Sequence, residues 1–418
     1  MRVLFIHQNF PGQFKHLAPA LAERGHDCLA LTLRVKEAVT WKGVRILPYV
    51  IKRRSGQGVH PWLADTETKV IRAEACYRAA RALRERGYSP DLIVAHPGWG
   101  EAMFLRDVWP HARIGLYCEL YHLSDRDHLG FDPEFMPKVD EVEQLRIRMK
   151  NLNNLIHQPL CDMGISPTRF QADTFPAAYR DRISVIHDGI DTDHLAPDPA
   201  ARFDLADGRT LTRDEEVITF VNRNLEPYRG YHVFMRALPD LLARRPQAQV
   251  LVVGGDEVSY GARPPKGQTW KQIFIDEVRG RIPDDDWSRV HFLGRIPYDR
   301  FVTLLQVSRV RDVYKRQVLS WSLFEAMSVG AAIVASDTAP VREAVDDGKT
   351  GFLVDFFDTR ALVDRACALL DDPGLRLSFG QAARSHVQQN HDLRRICLPQ
   401  QLDWIERLAA ASPGQISD

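Results

Sequence analysis

The sequence contains no long apolar run. Nowhere do its 418 residues approach the ~18–20 consecutive apolar side chains that a membrane-spanning helix needs. The chain is therefore expected to be cytoplasmic, with at most peripheral contact at the inner face of a membrane. Charge of one sign is not in excess either. Lysine plus arginine and aspartate plus glutamate both number 55, so no basic field is present to draw in nucleic acid. Cysteine is sparse and scattered. Cys28, Cys76, Cys118, Cys161, Cys367 and Cys397 form no C-x-x-C pair, and they read as reduced structural thiols. No internal repeat or low-complexity tract is evident. The opening MRVLFIHQNF holds one arginine and the short run VLFI. That run is too short for the apolar region of a signal peptide and reads as a first strand.

What is present is a repeated grammar. The length suits two domains. Apolar runs of strand length alternate with amphipathic helical patterns, which predicts an α/β fold with parallel sheets wrapped by helices. In the first half VLFI, CLALT, VRILPYV, DLIVAH and RIGLYCE read as strands, with helices over 14–24, 66–86 and 140–158. The second half restarts with VITFVNRN, AQVLVVGGDE and RVHFLGRI. A polar, turn-rich stretch at 194–206 joins the halves. The expected division is a first Rossmann-like domain over 1–195, a second over 196–390, and a C-terminal helix over 391–418. Leu398, Leu402, Ile405 and Ala409 fall at helical spacing in that last segment.

Ligands of such sheets bind at the carboxyl ends of strands. Gly12, in the loop after the first strand, lets a ligand approach the backbone closely. His96 ends a strand and is followed by Gly98 and Gly100, which makes it a positioned imidazole. Arg223 and Arg229 flank the turn after VITFVNRN, and two guanidiniums suit a phosphate by charge and fork geometry. The richest block is SWSLFEAMSVGAAIVASDTAPVREAVDDGKTGF, from Ser320 to Phe352. A loop of small residues there feeds a helix N-terminus, whose free N–H groups and dipole favour an anion. Glu325, expected in the first turn of that helix, can accept hydrogen bonds from a vicinal diol. Phosphate plus diol means a nucleotide.

This block resembles the nucleotide-sugar site of retaining glycosyltransferases of family 4 (glycosyl transferases group 1). The resemblance covers about 182–372 well and 1–30 and 90–120 more loosely. It implies a GT-B fold, two doubly wound Rossmann-like domains facing a central cleft, with the C-terminal helix crossing back to the first. It also implies transfer of a hexose-type sugar from a nucleotide-diphosphate donor to a saccharide, lipid-linked or small-molecule acceptor, as in cell-surface polysaccharide or glycoconjugate synthesis. By resemblance His96, Arg223 and Arg229 are catalytic, while Gly12, Gly255, Arg295, Ser320, Trp321, Ser322, Leu323 and Glu325 bind the donor. No cofactor beyond the donor and no metal is implied; the D-x-D triplet Asp191-Thr192-Asp193 falls at the domain junction, away from these loops. Nucleotide-sugar epimerases share this fold, and a non-catalytic nucleotide-sugar-binding relative is the other alternative. Oligomeric state cannot be read from the sequence.

The pattern departs from the family at one point. The family pairs two glutamates eight positions apart, and the first would stand where Gln317 stands. The stretch RVRDVYKRQ before it is charged where a central parallel strand should be apolar. DVYKRQ also resembles translated sequencing-adapter sequence. The expectation is that 309–317 either lies at an exposed edge or loop or is foreign to the native sequence.

Overall fold

The computed structural model describes residues 1–124, 130–135, 140–259, 261–314 and 318–411. The chain divides into two compact α/β units. The first comprises Met1–Leu129, Lys138–Gly189 and Arg394–Asp418; the second comprises Gly130–Pro137 and Ile190–Leu393.

The first unit is built on strands β1 (Arg2–Ile6), β2 (Asp27–Thr32), β3 (Val39–Trp41), β4 (Val44–Pro48), β5 (Leu92–Ala95), β6 (Arg113–Tyr117), β7 (Met163–Ser166) and β8 (Ile183–Val185). Their order is β3-β4-β2-β1-β5-β6-β7-β8. All pairs are parallel except β3 with β4. Strand β1 is apolar throughout its buried length because both faces are covered. Leu4, Ile6, Leu29, Leu31, Ile93 and Ala95 enter one core. Their alternating neighbours Val3, Phe5, Cys28, Ala30, Leu92 and Val94 enter the other.

That second core is closed by the C-terminal helix Leu398–Ala410, which supplies Leu402, Trp404, Ile405 and Leu408. A side chain at Gly115 of β6 would collide with the Trp404 indole, so glycine there makes the seat. The indole N–H donates to the Gly164 carbonyl at 3.2 Å. The single helix expected over 140–158 is two, Glu141–Lys150 and Leu152–His157. Asn151 interrupts it, because its side chain accepts from His122 N–H (2.9 Å) and donates to His122 C=O (2.6 Å).

The second unit begins with a short antiparallel hairpin, β9 (Phe203–Asp204) and β10 (Thr210–Leu211). Its sheet holds β11 (Val217–Asn224), β12 (Gln249–Gly255), β13 (Val290–Gly294), β14 (Val310–Val313), β15 (Ala332–Ser336) and β16 (Phe352–Val354). The order is β13-β12-β11-β14-β15-β16, all parallel. Ile218, Phe220, Val250, Val252 and Val334 pack on one face; Val221, Leu251, Val253 and Ile333 pack on the other. No helix among the described residues is long and apolar enough to cross a membrane.

The charged segment is not at an edge. Strand β14 lies between β11 and β15, and Arg311 and Asp312 are buried within it at 0% and 2% exposure. The Arg311 guanidinium is accommodated by main-chain carbonyls, donating to Thr219 (3.1 Å), Asp312 (2.7 Å) and Val221 (2.9 Å). Burial pushes its pKa down to about 10 against the pull of Asp312 and Glu325. Its Nε finds no partner among the described residues. Gln317, with Lys315 and Arg316, lies outside the described residues.

A buried charge held by carbonyls costs desolvation that well-packed apolar side chains avoid, and replacing buried ionic groups is often neutral or stabilising by ~1–4 kcal/mol. The double variant Arg311→Val with Asp312→Val is therefore expected to melt at or above the temperature of the parent chain. A Tm lowered by several degrees in a calorimetric scan would show that the two charges support the strand.

Candidate active site

In a doubly wound sheet a crevice opens where strand order reverses about the first strand. In the second unit that point lies between β11 and β14, and in the first between β1 and β5. The site residues expected from sequence divide between these two edges.

In the second unit the register of β11 against β12 shifts between Val221 and Asn224, so one extra residue stands on β11. Such a bulge bends the strand and re-aims a side chain. Arg223 is the residue so displaced, exposed between buried Asn222 and Asn224. Arg229 ends the short 3-10 turn Pro227–Arg229. Its Nε lies 3.4 Å from Glu226, whose carboxylate is wholly buried. The other oxygen of Glu226 accepts the main-chain N–H groups of Ser259 (3.1 Å) and Gly261 (3.3 Å). Glu226 thus ties the arginine turn to the loop after β12. Gly230 follows at φ 73, where a side chain would strike the Tyr314 ring.

Gly255 closes β12, and the space its missing side chain leaves is filled by Arg295 and Asn224. The Arg295 guanidinium donates to Asn224 Oδ1 at 3.0 Å and pairs with Glu257. The helix Trp321–Ser328 starts at Ser320, whose hydroxyl bonds that of Ser322 (2.8 Å) and does not cap the helix. The Leu323 side chain is fully buried in the core, and its N–H returns to the Ser320 carbonyl, 3.2 Å. Trp321 packs half-buried against the same core. Glu325 is the fifth residue of this helix, in its second turn and not its first. It is buried, and its Oε1 accepts the Tyr298 hydroxyl at 2.8 Å. Burial, then the Glu325 charge, holds the Tyr298 phenol well above its ordinary range, so Tyr298 remains a donor.

In the first unit Ile6 pairs with Ala95, so His7 and His96 are the next residues of adjacent parallel strands. Their rings meet edge to face, centroids 5.2 Å apart. Each ring takes a main-chain N–H at Nδ1, from Asn9 to His7 (2.9 Å) and from Gly98 to His96 (3.1 Å). In the neutral form the proton of each ring is then on Nε2. For His7 it is donated to Gln13 Oε1, 2.8 Å; for His96 it points toward Glu119 Oε2, 3.4 Å. His96 is 2% exposed, between Trp99 (4.7 Å) and a stacked Tyr117 (5.3 Å). Burial, then the neighbouring His96, pushes the His7 pKa down to about 3. Gly12, at φ 47, has no room for a side chain because the His7 ring lies over it.

Four side chains here were not singled out from sequence: His7, Glu119, Glu226 and Tyr298. His7 had a usable signal, since it follows β1 as His96 follows β5. Tyr298 opens the helix Tyr298–Val307, and nothing local in the sequence marks it.

The chain thus consists of two Rossmann-like α/β units, each with a polar cluster at the point where its strand order reverses. The comparisons specify the family. Residues 24–195 match the glycosyl transferase family 4 group and residues 204–386 match glycosyl transferases group 1. The chain belongs to family 4 of the glycosyltransferases and has the GT-B fold. It is similar to D-inositol 3-phosphate glycosyltransferase of Kribbella flavida, 25% identical over 89% of this chain and 84% of that one. It is also similar to the GDP-mannose-dependent alpha-(1-6)-phosphatidylinositol monomannoside mannosyltransferase of Mycolicibacterium smegmatis, 28% identical over 54% of this chain. The match spans 58% of that enzyme's length. Sucrose-phosphate synthase of Thermosynechococcus elongatus has the same fold, with TM-score 0.74 and 18% identity over 98% of this chain and 100% of that one.

Buried neutral histidines make stability pH-dependent. Burial lowers the pKa of His7 to about 3, and of His157 and His391 to about 4, all below the unfolded value. The unfolded chain therefore binds more protons below pH ~6.5. Stability is full above that pH and falls as pH drops toward the folded values. Each imidazole is expected to cost roughly 1–2 kcal/mol at pH 5. Urea midpoints at pH 7 and pH 5 measure this, and His157→Gln should remove part of the difference. Equal midpoints at both pH values would show that these rings are protonated in the folded chain.

Proposed function

We propose that the chain transfers a hexose-type sugar, with retention of configuration, from a nucleotide-diphosphate donor to a hydroxyl-bearing acceptor. The observation that carries this reading is the clustering in the second unit. One arginine stands at the end of β11, exposed by a bulge, and a second follows it, oriented by a buried carboxylate. An uncapped helix N-terminus follows the neighbouring strand, and a buried glutamate lies one turn further in. A leaving nucleoside diphosphate gains negative charge as the sugar departs. Guanidiniums and a helix N-terminus at the carboxyl ends of the neighbouring strands β11 and β14 would stabilise that charge without a metal ion. Glu325 suits the ribose diol, and Arg295, also expected to bind the donor, lies against Asn224 at the end of β11.

The first unit supplies the acceptor side in this reading. His96 lies in an aromatic setting of Trp99 and Tyr117, with its Nε2 proton directed outward to a half-buried carboxylate. Such a set binds hydroxyls by donation and by stacking on an apolar sugar face. The names of the relatives support a lipid-linked or small polyol acceptor. The leaving phosphate oxygen takes the acceptor's proton on the same face of the sugar, so the protein's part is positioning and charge stabilisation. Incubation with nucleotide sugars and candidate acceptors should release free nucleoside diphosphate and form an anomer of the donor's configuration. An isomerised nucleotide sugar with no diphosphate released would instead identify an epimerase.

Arg223→Ala and Arg229→Ala are each expected to lower kcat/KM by about 30- to several thousand-fold. That is the effect of losing one desolvated charge partner at roughly 2–5 kcal/mol. Arg223 is exposed, so its loss should leave Tm unchanged, whereas Arg229→Ala also releases Glu226 and should lower Tm. Both variants retaining kcat/KM within about threefold would remove the arginines from the mechanism.

Glu325→Ala should weaken nucleoside diphosphate binding roughly ten- to a hundredfold, since a hydrogen bond to a charged group contributes ~1.5–3 kcal/mol. Its ribose partners are equally present in ground and transition states, so the loss belongs mainly in KM. Tyr298→Phe should give a smaller change in the same direction, because it removes only the hydroxyl that orients the carboxylate. Calorimetric titration showing wild-type affinity in Glu325→Ala would contradict the assignment.

A further inference from the structure

We infer that Asp132, Glu134 and His232 form a structural site for a divalent transition-metal ion within the second unit, separate from the transfer chemistry. His232 is the second residue of the helix Tyr231–Arg244, and its ring is 1% exposed. Asp132 is buried opposite it, with Oδ2 lying 3.1 Å from His232 Nε2. Among the described residues neither ring nitrogen of His232 has a hydrogen-bond partner, and Asp132 Oδ2 has none. An imidazole nitrogen and a carboxylate oxygen, both buried, therefore lie 3.1 Å apart with no hydrogen bond formed at either. Buried polar atoms are rarely left so, and an ion that accepts both lone pairs accounts for the pair.

The third ligand is Glu134. One of its carboxylate oxygens, His232 nitrogen and Asp132 oxygen all lie within 4.8 Å of one another. Metal–ligand bonds of ~2.0–2.2 Å place ligand atoms roughly 3.0–3.6 Å apart. The His232–Asp132 separation already fits, and Glu134, on a partly exposed side chain, closes by about 1 Å. The orientation is prepared. Asp132 Oδ1 accepts the Glu134 N–H at 3.1 Å. Arg236 holds both Glu134 oxygens (2.6 and 2.7 Å) while it also binds Glu277.

Charge and setting agree with a dication. Asp132, Glu134 and Glu277 carry three negative charges against one on Arg236, an excess of two. The rings of Phe135 (5.1 Å) and Phe274 (5.8 Å) wall the imidazole from water, which strengthens a metal–ligand bond. One imidazole with two carboxylates suits zinc, cobalt or manganese, with water completing the coordination. The ion would pin residues 130–135 to the first turn of the helix that directly follows Arg229 and Gly230.

The test uses the full chain, stripped with EDTA and titrated with Co²⁺ and then Zn²⁺. A visible Co²⁺ spectrum that Zn²⁺ displaces, and a Tm that rises with Zn²⁺, are expected. Asp132→Asn and His232→Gln, each confirmed as folded by circular dichroism, should weaken Co²⁺ binding more than about tenfold. If His232→Gln does not fold, the parent chain and Asp132→Asn decide. No Co²⁺ spectrum and no Zn²⁺-dependent Tm in the parent chain would overturn the proposal, leaving an ordinary buried His–Asp pair. Unchanged Co²⁺ binding in the folded variants would overturn it as well.

Discussion

In each unit the placement of the candidate site residues depends on the pairing register of one strand. Parallel strands send all their carboxyl ends to one edge, and the first strand is the place where chain order reverses. In the first unit the pairing of Ile6 with Ala95 puts two imidazoles side by side. A slip of one residue would turn every side chain of β1 to the other face. The two cores forbid that slip, because Leu4 and Ile6 are buried in one and Val3 and Phe5 in the other. In the second unit the corresponding constraint is the bulge. Strand β11 stays in register with β12 through Val221, gains a residue, and resumes at Asn224. The core fixes the strand up to that point, and the irregularity beyond it frees Arg223 from the sheet.

Polar residues around both edges are held by main-chain groups more than by one another. Nδ1 of His7 and of His96 accepts a backbone N–H two residues on. Glu226 accepts two backbone N–H groups, and Arg311 donates to three carbonyls. Such bonds need no second side chain to be in place, so they orient a functional group as soon as its loop is formed. They also explain why so many buried polar side chains are tolerated: desolvation is offset by backbone partners at close range.

The strands were legible because a buried parallel strand is an unbroken apolar run, and β1, β2, β5, β11 and β12 each read that way. The loops after them were legible because glycine and arginine are informative where a strand ends. Glu325 was singled out through its helix, which begins at Trp321 and so places it a turn deeper than expected. Other features depend on residues distant in sequence and leave no local trace. The Tyr298 bond to Glu325 spans 27 positions. The approach of Asp132 to His232 joins two segments a hundred residues apart in sequence, which no periodicity can announce. The exposed edge or loop expected for 309–317 is not what β14 forms, for a different reason. Arginine in a strand normally marks an exposed face, but here the guanidinium is enclosed by carbonyls of β11 and of its own strand, so a charged sequence is compatible with an internal position.

The glycines show where a sequence signal and its physical cause part company. Gly12 and Gly255 both suggest a backbone left bare for a ligand. In the folded chain the vacated space is occupied from within, by the His7 ring at one and by Arg295 with Asn224 at the other. Their smallness lets a polar side chain lie against the backbone in a fixed pose. A larger residue at Gly12 would push on an imidazole already held at both nitrogens. A larger residue at Gly255 would part Arg295 from Asn224. At both positions the glycine and the polar side chain that lies over it form one packed unit.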